Sequence, residues 1–221
     1  MKIEQSSFIL FYEICWMGTT SRKAKEKEAL KERILSVAQK LFVELGVERT
    51  TIRNIAQEVA CSVGTVYVYF RDKNEILHEL HRRGFAILGA NMAALQHVGD
   101  PFERLKALGR VYLAFALENQ LMYDLMFNMK APMDVLRLSQ EEKWREGMAT
   151  FGVLRNTITD CMKMGYFKGH QVEALAFAIW SAVHGMCSLF IRERIQGVSE
   201  EEPLVLMHRA YDSLVSMLAI S

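Results

Sequence analysis

The 221-residue chain has little proline and no excess of charge of either sign. It contains three prolines, and 27 basic against 26 acidic residues give a formal net charge of +1. Scarce proline leaves room for long helices. A balanced charge gives no overall field that would attract a nucleic acid or a membrane surface. Hydrophobic residues make up 51% and charged residues 24% of the chain, which excludes a disordered or collagen-like protein.

Cysteine is also scarce, and its spacing excludes a disulfide framework. The four cysteines are Cys15, Cys61, Cys161 and Cys187, and none of them forms a C-x-x-C pair. Scattered cysteines of this kind are typical of reduced thiols in an intracellular protein. No Cys/His cluster has the spacing of a zinc site. We therefore expect a cytoplasmic protein without a metal or another cofactor.

Two hydrophobic stretches resemble targeting or membrane segments. Glu13 interrupts residues 8–17, and no small-residue cleavage site follows. We expect Met17 to be the natural start and residues 1–16 to be an upstream extension; the alternative is an amino-terminal helix packed on the body. Residues 174–191 carry no formal charge, at the lower limit for a membrane span. We expect a buried helix or a helix at a subunit interface there, and no membrane partner.

Hydrophobic residues recur at helical spacing along most of the chain, and strand-like alternation is missing. This pattern predicts an all-α fold of about nine helices. Capping patterns predict helix starts at Thr50 or Thr51 and at Ser62, Asp72, Asp100 and Ser139. The predicted division is a leader over residues 1–28, a helix-turn-helix domain over 29–76 and a helical domain over 77–221.

Residues 51–70 predict two short helices joined by a three-residue connection, after a helix that ends at Gly46. Three such helices can bury a small core and leave one face of residues 62–69 exposed. This is the arrangement of a helix-turn-helix, whose second helix enters the DNA major groove. From spacing alone, an ordinary helical hairpin remains the alternative. Hydroxyl side chains and the lack of acidic residues between Val59 and Arg71 favour DNA.

The segment resembles the amino-terminal domain of the tetracycline-repressor (TetR) family over about residues 31–80. The matching residues are Thr51, Ile52, Arg53, Asn54, Ile55 and Ala56, followed by Ser62, Gly64, Thr65, Tyr67, Tyr69, Phe70, Lys73, Ile76 and Leu77. The resemblance implies a homodimeric prokaryotic transcriptional regulator, in which a carboxy-terminal helical domain binds a small ligand and forms the dimer. The expected function is a repressor that a small apolar or aromatic effector releases from a two-fold symmetric operator.

The resemblance also assigns a DNA-binding surface. Its residues are Thr51, Arg53, Ser62, Val63, Gly64, Thr65, Tyr67, Val68, Tyr69 and Lys73. Val63, Thr65 and Val68 would face base edges. The residues that would contact the DNA backbone are Thr51, Arg53, Ser62, Tyr67, Tyr69 and Lys73. The chain departs from the family where Ala60 replaces a usual glycine, which predicts strain in a left-handed turn. Val63 and Val68 also stand where the family often has lysine and histidine.

These departures bear on sequence recognition. Residues 62–70 contain no Arg, Lys, Asn or Gln, the side chains that read guanine or adenine through paired hydrogen bonds. We therefore predict thymine at the directly contacted positions and a large share of shape readout. Residues 22–27 would add either an arm along the minor groove or a disordered leader.

The remaining chain is rich in methionine and aromatic residues, which favours an adaptable apolar pocket as well as core packing. The predicted pocket residues are Tyr112, Phe115, Met122, Met126, Phe127, Trp144, Met148, Phe151, Phe177, Trp180 and His184. Residues 118–127 and the Trp-x-x-x-His-Gly motif of Trp180–Gly185 resemble one carboxy-terminal TetR subclass. That resemblance implies a dimer interface through Trp180, His184, Gly185, Leu189, Leu206, Tyr211 and Leu214. A hydrogen-bonded core histidine is the alternative for His184.

Two other functions compete with the regulator. An enzyme with an accessory helix-turn-helix is disfavoured, because the sequence has no H-E-x-x-H, G-x-S-x-G or phosphate-loop motif. A protein-interaction bundle that does not use its helix-turn-helix on DNA stays open at this point.

Overall fold

The computed structural model describes residues 4–132 and 145–220, with side chains over 22–132 and 145–219. Within those residues it has nine α-helices and no strand, so the predicted all-α fold is confirmed. The chain divides into two compact units, Met1–Ile76 and Leu77–Ser221. The capping pattern predicted at Ser139 and the predicted pocket residue Trp144 lie outside the described residues.

Three helices form most of the first unit. They are α1 (Glu4–Leu45), α2 (Ile52–Val59) and α3 (Val63–Tyr67). Gly46 ends α1 with a φ of 85°, a conformation that favours glycine because it has no Cβ. The core of this unit contains Phe42, Ile55, Ala56, Val59, Val66 and Phe70, all buried, whereas Leu41 is half-buried. This is the small three-helix core that the hydrophobic pattern predicts.

Helix α1 is much longer than the pattern predicts. It runs without interruption from Glu4 to Leu45, so the predicted leader over residues 1–28 is helical where it is described. Residues 22–33 are rich in lysine, glutamate and alanine, which are strong helix formers. Arg22 and Glu26 add an i,i+4 ion pair of 3.4 Å. The disordered leader is therefore wrong for residues 22–27.

The second unit consists of longer helices around a mixed apolar and aromatic core. Its elements are α4 (Lys73–Ala93, which contains the boundary between the units), a 3-10 turn (Ala94–His97), α5 (Pro101–Glu118), α6 (Gln120–Tyr123), a π-helical turn (Asp124–Asn128), α7 (Arg145–Lys163), α8 (Val172–Ile191) and α9 (Pro203–Ile220). Asp100 caps α5 by accepting hydrogen bonds from the amides of Phe102 and Glu103, both at 2.8 Å. The predicted cap is thus correct.

Helix α8 is the uncharged segment. By length and composition it is the one described helix that could cross a membrane. It packs against α5, α7 and α9, but much of it stays accessible: Phe177 is 60% and Leu189 is 48% exposed. It is therefore not the fully buried helix that was one of the two expectations. An exposed apolar face on a helix in the middle of a bundle is a feature of subunit interfaces.

Candidate nucleic-acid interface and ligand cavity

The turn between α2 and α3 is fixed by backbone hydrogen bonds around a left-handed residue. Ala60 has a φ of 59° and a ψ of 49°, and the following amide of Cys61 donates to the carbonyl of Ala56 at 2.9 Å. The left-handed conformation costs an L-residue about 1–2 kcal/mol. The strain that the sequence predicts at Ala60 is therefore present in the geometry.

Side-chain caps begin both helices of this motif. The Thr51 hydroxyl accepts from the backbone amide of Asn54 at 3.1 Å, and the side-chain Oδ1 of Asn54 accepts from the backbone amide of Thr51 at 3.0 Å. Ser62 accepts from the amide of Thr65 at 3.0 Å, and the two hydroxyls lie 2.8 Å apart. Ser62, Thr51 and Arg53 are exposed. The capping hydrogen bonds hold the side chains of Thr51 and Ser62, two of the predicted phosphate ligands, in place.

One face of α3 and of the residue after it is exposed. Val63, Gly64, Tyr67 and Val68 all lie on this surface, at the i,i+4 spacing that places residues on one side of a helix. Tyr67 is 54% and Val68 70% exposed. A Cβ built on Gly64 would approach only the Ser62 hydroxyl, at 3.7 Å, so this position leaves room for another backbone. The surface is apolar apart from hydroxyl groups.

Helix α3 ends earlier than the pattern predicts, at Tyr67 rather than Phe70. Phe70 is buried and holds the chain against the core. Tyr69 is half-buried, and the Lys27 ammonium lies 6.0 Å from the centroid of its ring. The middle of α1 therefore runs next to the end of the recognition element.

Two polar contacts across the first unit could not be predicted from local pattern, and one buried hydroxyl bonds within four residues of itself. The Lys73 ammonium donates to the carbonyl of Val47 at 2.5 Å, and the Arg33 guanidinium donates to the carbonyl of Val59 at 3.0 Å. Thr50 is buried and donates to the carbonyl of Gly46 at 2.9 Å. Lys73 is thus partly committed inside the protein, so its substitution would disturb folding as well as any phosphate contact.

The second unit contains a large apolar cavity. About 770 Å³ of space free of protein atoms, counting solvent at its mouth, lies among α4, α5, α7, α8, α9 and the π-helical turn. The lining residues are Phe85, Leu88, Met92, Phe102, Leu105, Lys106, Leu108, Gly109, Tyr112, Phe127, Gly147, Thr150, Phe151, Leu154, Ile179, Trp180, Val183, Tyr211 and Val215. Aromatic rings supply much of this wall.

The predicted pocket residues divide into three groups. Tyr112, Phe127, Phe151 and Trp180 line the cavity. Phe115, Met122 and Met126 are buried elsewhere; both methionines pack against Gly84, where an added Cβ would lie 2.2 Å from the Met126 sulfur. Met148 and Phe177 are 54% and 60% exposed. The register of α7 explains the wrong prediction for Met148. Gly147, Thr150, Phe151 and Leu154 face the cavity, whereas Met148 faces away from it.

His184 belongs to a buried hydrogen-bond network beside the cavity. Its Nδ1 lies 2.5 Å from the Tyr123 hydroxyl and 3.3 Å from the Tyr112 hydroxyl, and Trp180 Nε1 donates to Tyr112 at 3.2 Å. Burial lowers the pKa of His184 and raises those of both tyrosines. The geometry favours the alternative of a hydrogen-bonded core histidine over a ligand contact.

The network continues from His184 to the surface. Ser188 lies 3.4 Å from His184 Nε2 and donates to Asn128 at 3.1 Å. Asn128 donates to Asp124 at 2.7 Å, and Arg192 pairs with Asp124 at 3.1 Å. Asp124 and Asn128 begin and end the π-helical turn that also carries Phe127. The turn therefore borders the cavity on one side and is bonded to α8 on the other.

The predicted dimer residues are also divided. Tyr211 is buried inside the protomer, where it covers Gly109 and donates to the carbonyl of Lys106 at 2.5 Å, so it is not available to a partner. Trp180 and His184 take part in the inward-facing network beside the cavity. Gly185 has open space where a Cβ would lie, and Leu189 is exposed. Leu206 and Leu214 are half-buried.

His81 is a buried polar group that the sequence did not single out. It is 2% exposed, and among the described residues its Nε2 has no hydrogen-bond partner. Its ring packs against Phe85 with a centroid distance of 4.9 Å. Burial lowers its pKa to about 4.

The described side chains contain no group of three metal-ligating residues. Cys61, Cys161 and Cys187 are free thiols, and the side chain of Cys15 lies outside the described ones.

Comparison with known families finds two matches along the chain. Residues 34–80 match the family described as bacterial regulatory proteins, tetR family. Residues 105–214 match the family described as tetracyclin repressor-like, C-terminal domain. An HTH-type transcriptional regulator of Staphylococcus aureus (strain USA300) is 35% identical over 63 residues. That match covers 28% of this chain and 34% of the relative, so the chain matches about a third of the relative's length.

Solved structures share the fold over most of the chain. A bacterial regulatory protein in the tetR family from Rhodococcus RHA1 has a TM-score of 0.66 at 19% identity, covering 86% of this chain and 96% of that one. The TetR family transcriptional regulator PfmR from Thermus thermophilus has a TM-score of 0.65 at 22% identity, covering 83% and 97%. At these identities the likeness concerns the fold alone.

Proposed function

Because the chain belongs to the TetR family of bacterial regulatory proteins, we propose that it is a ligand-responsive transcriptional regulator that binds DNA sequence-specifically in the cytoplasm. It acts as a homodimeric repressor, which an effector releases from a two-fold symmetric operator. The observation that carries this proposal is the exposed face of α3. Its capped start, its open Gly64 and its solvent-facing Val63, Tyr67 and Val68 form a surface of the size that enters a major groove.

The two kinds of contact on this surface have different roles. Arg53 and Tyr67 supply hydrogen-bond donors for phosphates, which fix position but carry no sequence information. The amide and the hydroxyl of Thr51 both donate to the Asn54 side chain, so Thr51 would have to exchange one of these bonds for a phosphate contact. Val63 and Val68 supply methyl groups for thymine. The Lys73 ammonium donates one hydrogen bond to the carbonyl of Val47, so only its remaining N–H groups are available for a phosphate. The proposed readout is therefore apolar, with DNA shape providing the rest of the specificity.

Dimer formation is supported by the accessible apolar face of α8. Ala174, Phe177, Ala178 and Ser181 are exposed on this helix, and Leu189 continues the face toward its end. Small residues allow a second helix to approach closely, and the two large side chains supply apolar area. A dimer about a two-fold axis presents two α3 helices to half-sites that lie one DNA turn apart, about 34–36 Å.

The cavity supports a small apolar or aromatic effector, because its polar side chains already have protein partners. Thr150 donates to the carbonyl of Glu146 at 3.0 Å, Tyr211 to that of Lys106, and Trp180 to Tyr112. The Lys106 ammonium pairs with Glu103 and lies 5.5 Å from the centroid of the Phe102 ring. Apart from the donors that the Lys106 ammonium leaves unused, a polar effector would lose its hydration without gaining a new partner.

The effector can release DNA only through different affinities for the DNA-bound and the free state of the protein. Binding of a neutral aromatic probe such as naphthalene is measurable through the fluorescence of Trp180, which lines the cavity. The response should be lost in Trp180→Phe and weak for the anionic analogue 2-naphthoate. Equal binding of both probes would contradict the apolar assignment.

DNA binding is tested by selecting duplexes from a random pool at near-physiological salt. We expect a two-fold symmetric site that the Arg53→Gln/Tyr67→Phe variant fails to enrich. Arg155→Gln is the matched control, because Arg155 is also exposed but lies on α7. If the unaltered chain enriches no sequence, the regulator is the wrong function and the protein-interaction bundle is favoured. If the variant enriches the same site as the unaltered chain, the contacts assigned to Arg53 and Tyr67 are wrong.

A further inference from the structure

The middle of α1 carries exposed basic side chains beside the recognition element. Arg22, Lys23, Lys25 and Lys27 are all exposed. Arg22 is paired with Glu26 at 3.4 Å, which neutralises part of its charge. The lysines lie on different faces of the helix, so their positions decide which of them can act together.

Lys27 shows which face of α1 lies toward the recognition element. Its ammonium is 6.0 Å from the centroid of the Tyr69 ring, within the range of a cation–π contact. Lys23 is four residues earlier and therefore lies on the same face, about 6 Å nearer the amino terminus. Lys25 lies between them but points to the opposite side, because two residues turn the helix by about 200°.

We propose that Lys23 and Lys27 form a phosphate-binding pair that extends the DNA interface along α1, past the bases that α3 contacts. This rests on the proposed DNA-binding function. The separation of about 6 Å along the helix spans roughly two base-pair steps of 3.4 Å each. The occupant is the DNA backbone, because an ammonium group is a point charge that complements a phosphate.

The same geometry contradicts the minor-groove arm, which was one of the two alternatives for residues 22–27. An α-helix with its side chains is about 10–12 Å wide, whereas the minor groove is about 6 Å wide. Residues 22–27 are helical and so cannot lie in that groove. Contacts to phosphates alone add affinity and salt dependence without a preference for any base.

The test compares two double variants with the same loss of charge. Lys23→Gln/Lys27→Gln removes the pair, and Lys25→Gln/Lys40→Gln is the control. Lys25 lies on the opposite face, and Lys40 is exposed farther along α1. Affinity for the selected operator is measured by fluorescence anisotropy over a series of salt concentrations. Circular dichroism checks that both variants keep their helices.

The pair should act through counterion release, which contributes about 0.9 to the slope of log K against log salt for each phosphate. Its loss lowers the slope by about 1.8 for each DNA-binding unit, and therefore by about 3.6 for a homodimer on both half-sites. At 0.1 M salt this is a loss of roughly 4,000-fold in affinity for the operator. The selected base sequence should not change, and the control should stay within about twofold of the unaltered chain.

The outcomes separate this inference from the function on which it rests. If the unaltered chain binds its operator and the Lys23→Gln/Lys27→Gln variant keeps the original slope, the phosphate pair is wrong and the regulator stands. An equal loss of slope in the control variant also overturns the pair, since it would show a general effect of charge. If the unaltered chain binds no duplex at all, both proposals fail.

Discussion

Removing thymine methyl groups from the operator tests how the recognition surface reads DNA. Val68 is 70% and Val63 37% exposed, and neither can form the paired hydrogen bonds that read a purine. The perturbation is deoxyuridine in place of thymidine at the contacted positions, which deletes only the C5-methyl group. Each methyl group that is buried against valine contributes about 0.8 kcal/mol, or a fourfold change in affinity. Substitution in both half-sites should therefore weaken binding about fifteenfold.

The assay is a titration by fluorescence anisotropy at constant salt, because affinity for DNA depends steeply on ionic strength. Deoxyuridine at positions outside the contacted bases is the control and should have no effect. In the Val68→Ala variant the operator substitution should lose much of its effect, since a double-mutant cycle isolates the contact. An operator with guanine at its invariant contacted positions, or a deoxyuridine effect that is the same in Val68→Ala, would refute the apolar readout.

Three further predictions concern stability. Ala60→Gly should raise the free energy of unfolding by about 0.5–1 kcal/mol in urea titrations, because relief of the left-handed strain exceeds the entropy cost of glycine. The control Ala29→Gly, at an exposed site inside α1, should lower the free energy of unfolding by about 1 kcal/mol. A loss of stability in both variants would contradict the strain at Ala60. Burial holds the pKa of His81 in the folded protein at about 4, below its ordinary value of 6.5. The stability gained by burying the neutral ring is therefore fully present above pH 6.5 and is lost as the pH falls toward 4. Urea titrations at pH 7 and pH 5 should show about 2 kcal/mol of pH-dependent loss that His81→Phe removes; an unchanged pH dependence would mean that His81 is accessible to protons in the folded state. Gly109→Ala should destabilise by about 1–2 kcal/mol, since the added Cβ would lie 2.4–2.7 Å from the Tyr211 ring and hydroxyl. A stabilised variant would show that the ring moves aside freely, and the same cost in a Tyr211→Leu background would show that the ring is not its cause.

The first unit could be predicted in detail because its signals are local. Thr51 and Ser62 bond to amides three residues away, and Gly46 ends α1 through its own backbone conformation. Such interactions are visible in a short stretch of sequence. The bonds from Lys73 to Val47 and from Arg33 to Val59 each join residues 26 positions apart. No periodicity records them, so the sequence indicates only a phosphate ligand at Lys73.

The second unit was less predictable because spacing gives a period but not a direction. Met148 and Phe151 share helical spacing, yet only Phe151 faces the cavity. The same limitation placed Tyr211 at the dimer interface, although it covers Gly109 inside the protomer. A glycine at Gly109 and a tyrosine about 100 residues later give no joint signal in a single sequence.

The polar network beside the cavity is the feature that decides the chemistry of the proposed effector. Tyr112, Tyr123, Trp180 and His184 each carry a group that could bind a polar ligand when considered alone. The structure pairs these groups with one another at 2.5–3.4 Å. A polar ligand would have to break those bonds or stay unpaired, and an unpaired buried polar group costs about 1–3 kcal/mol. The aromatic surface that these side chains form has no open hydrogen-bonding group. It therefore favours a ligand that needs no hydrogen bond from the protein.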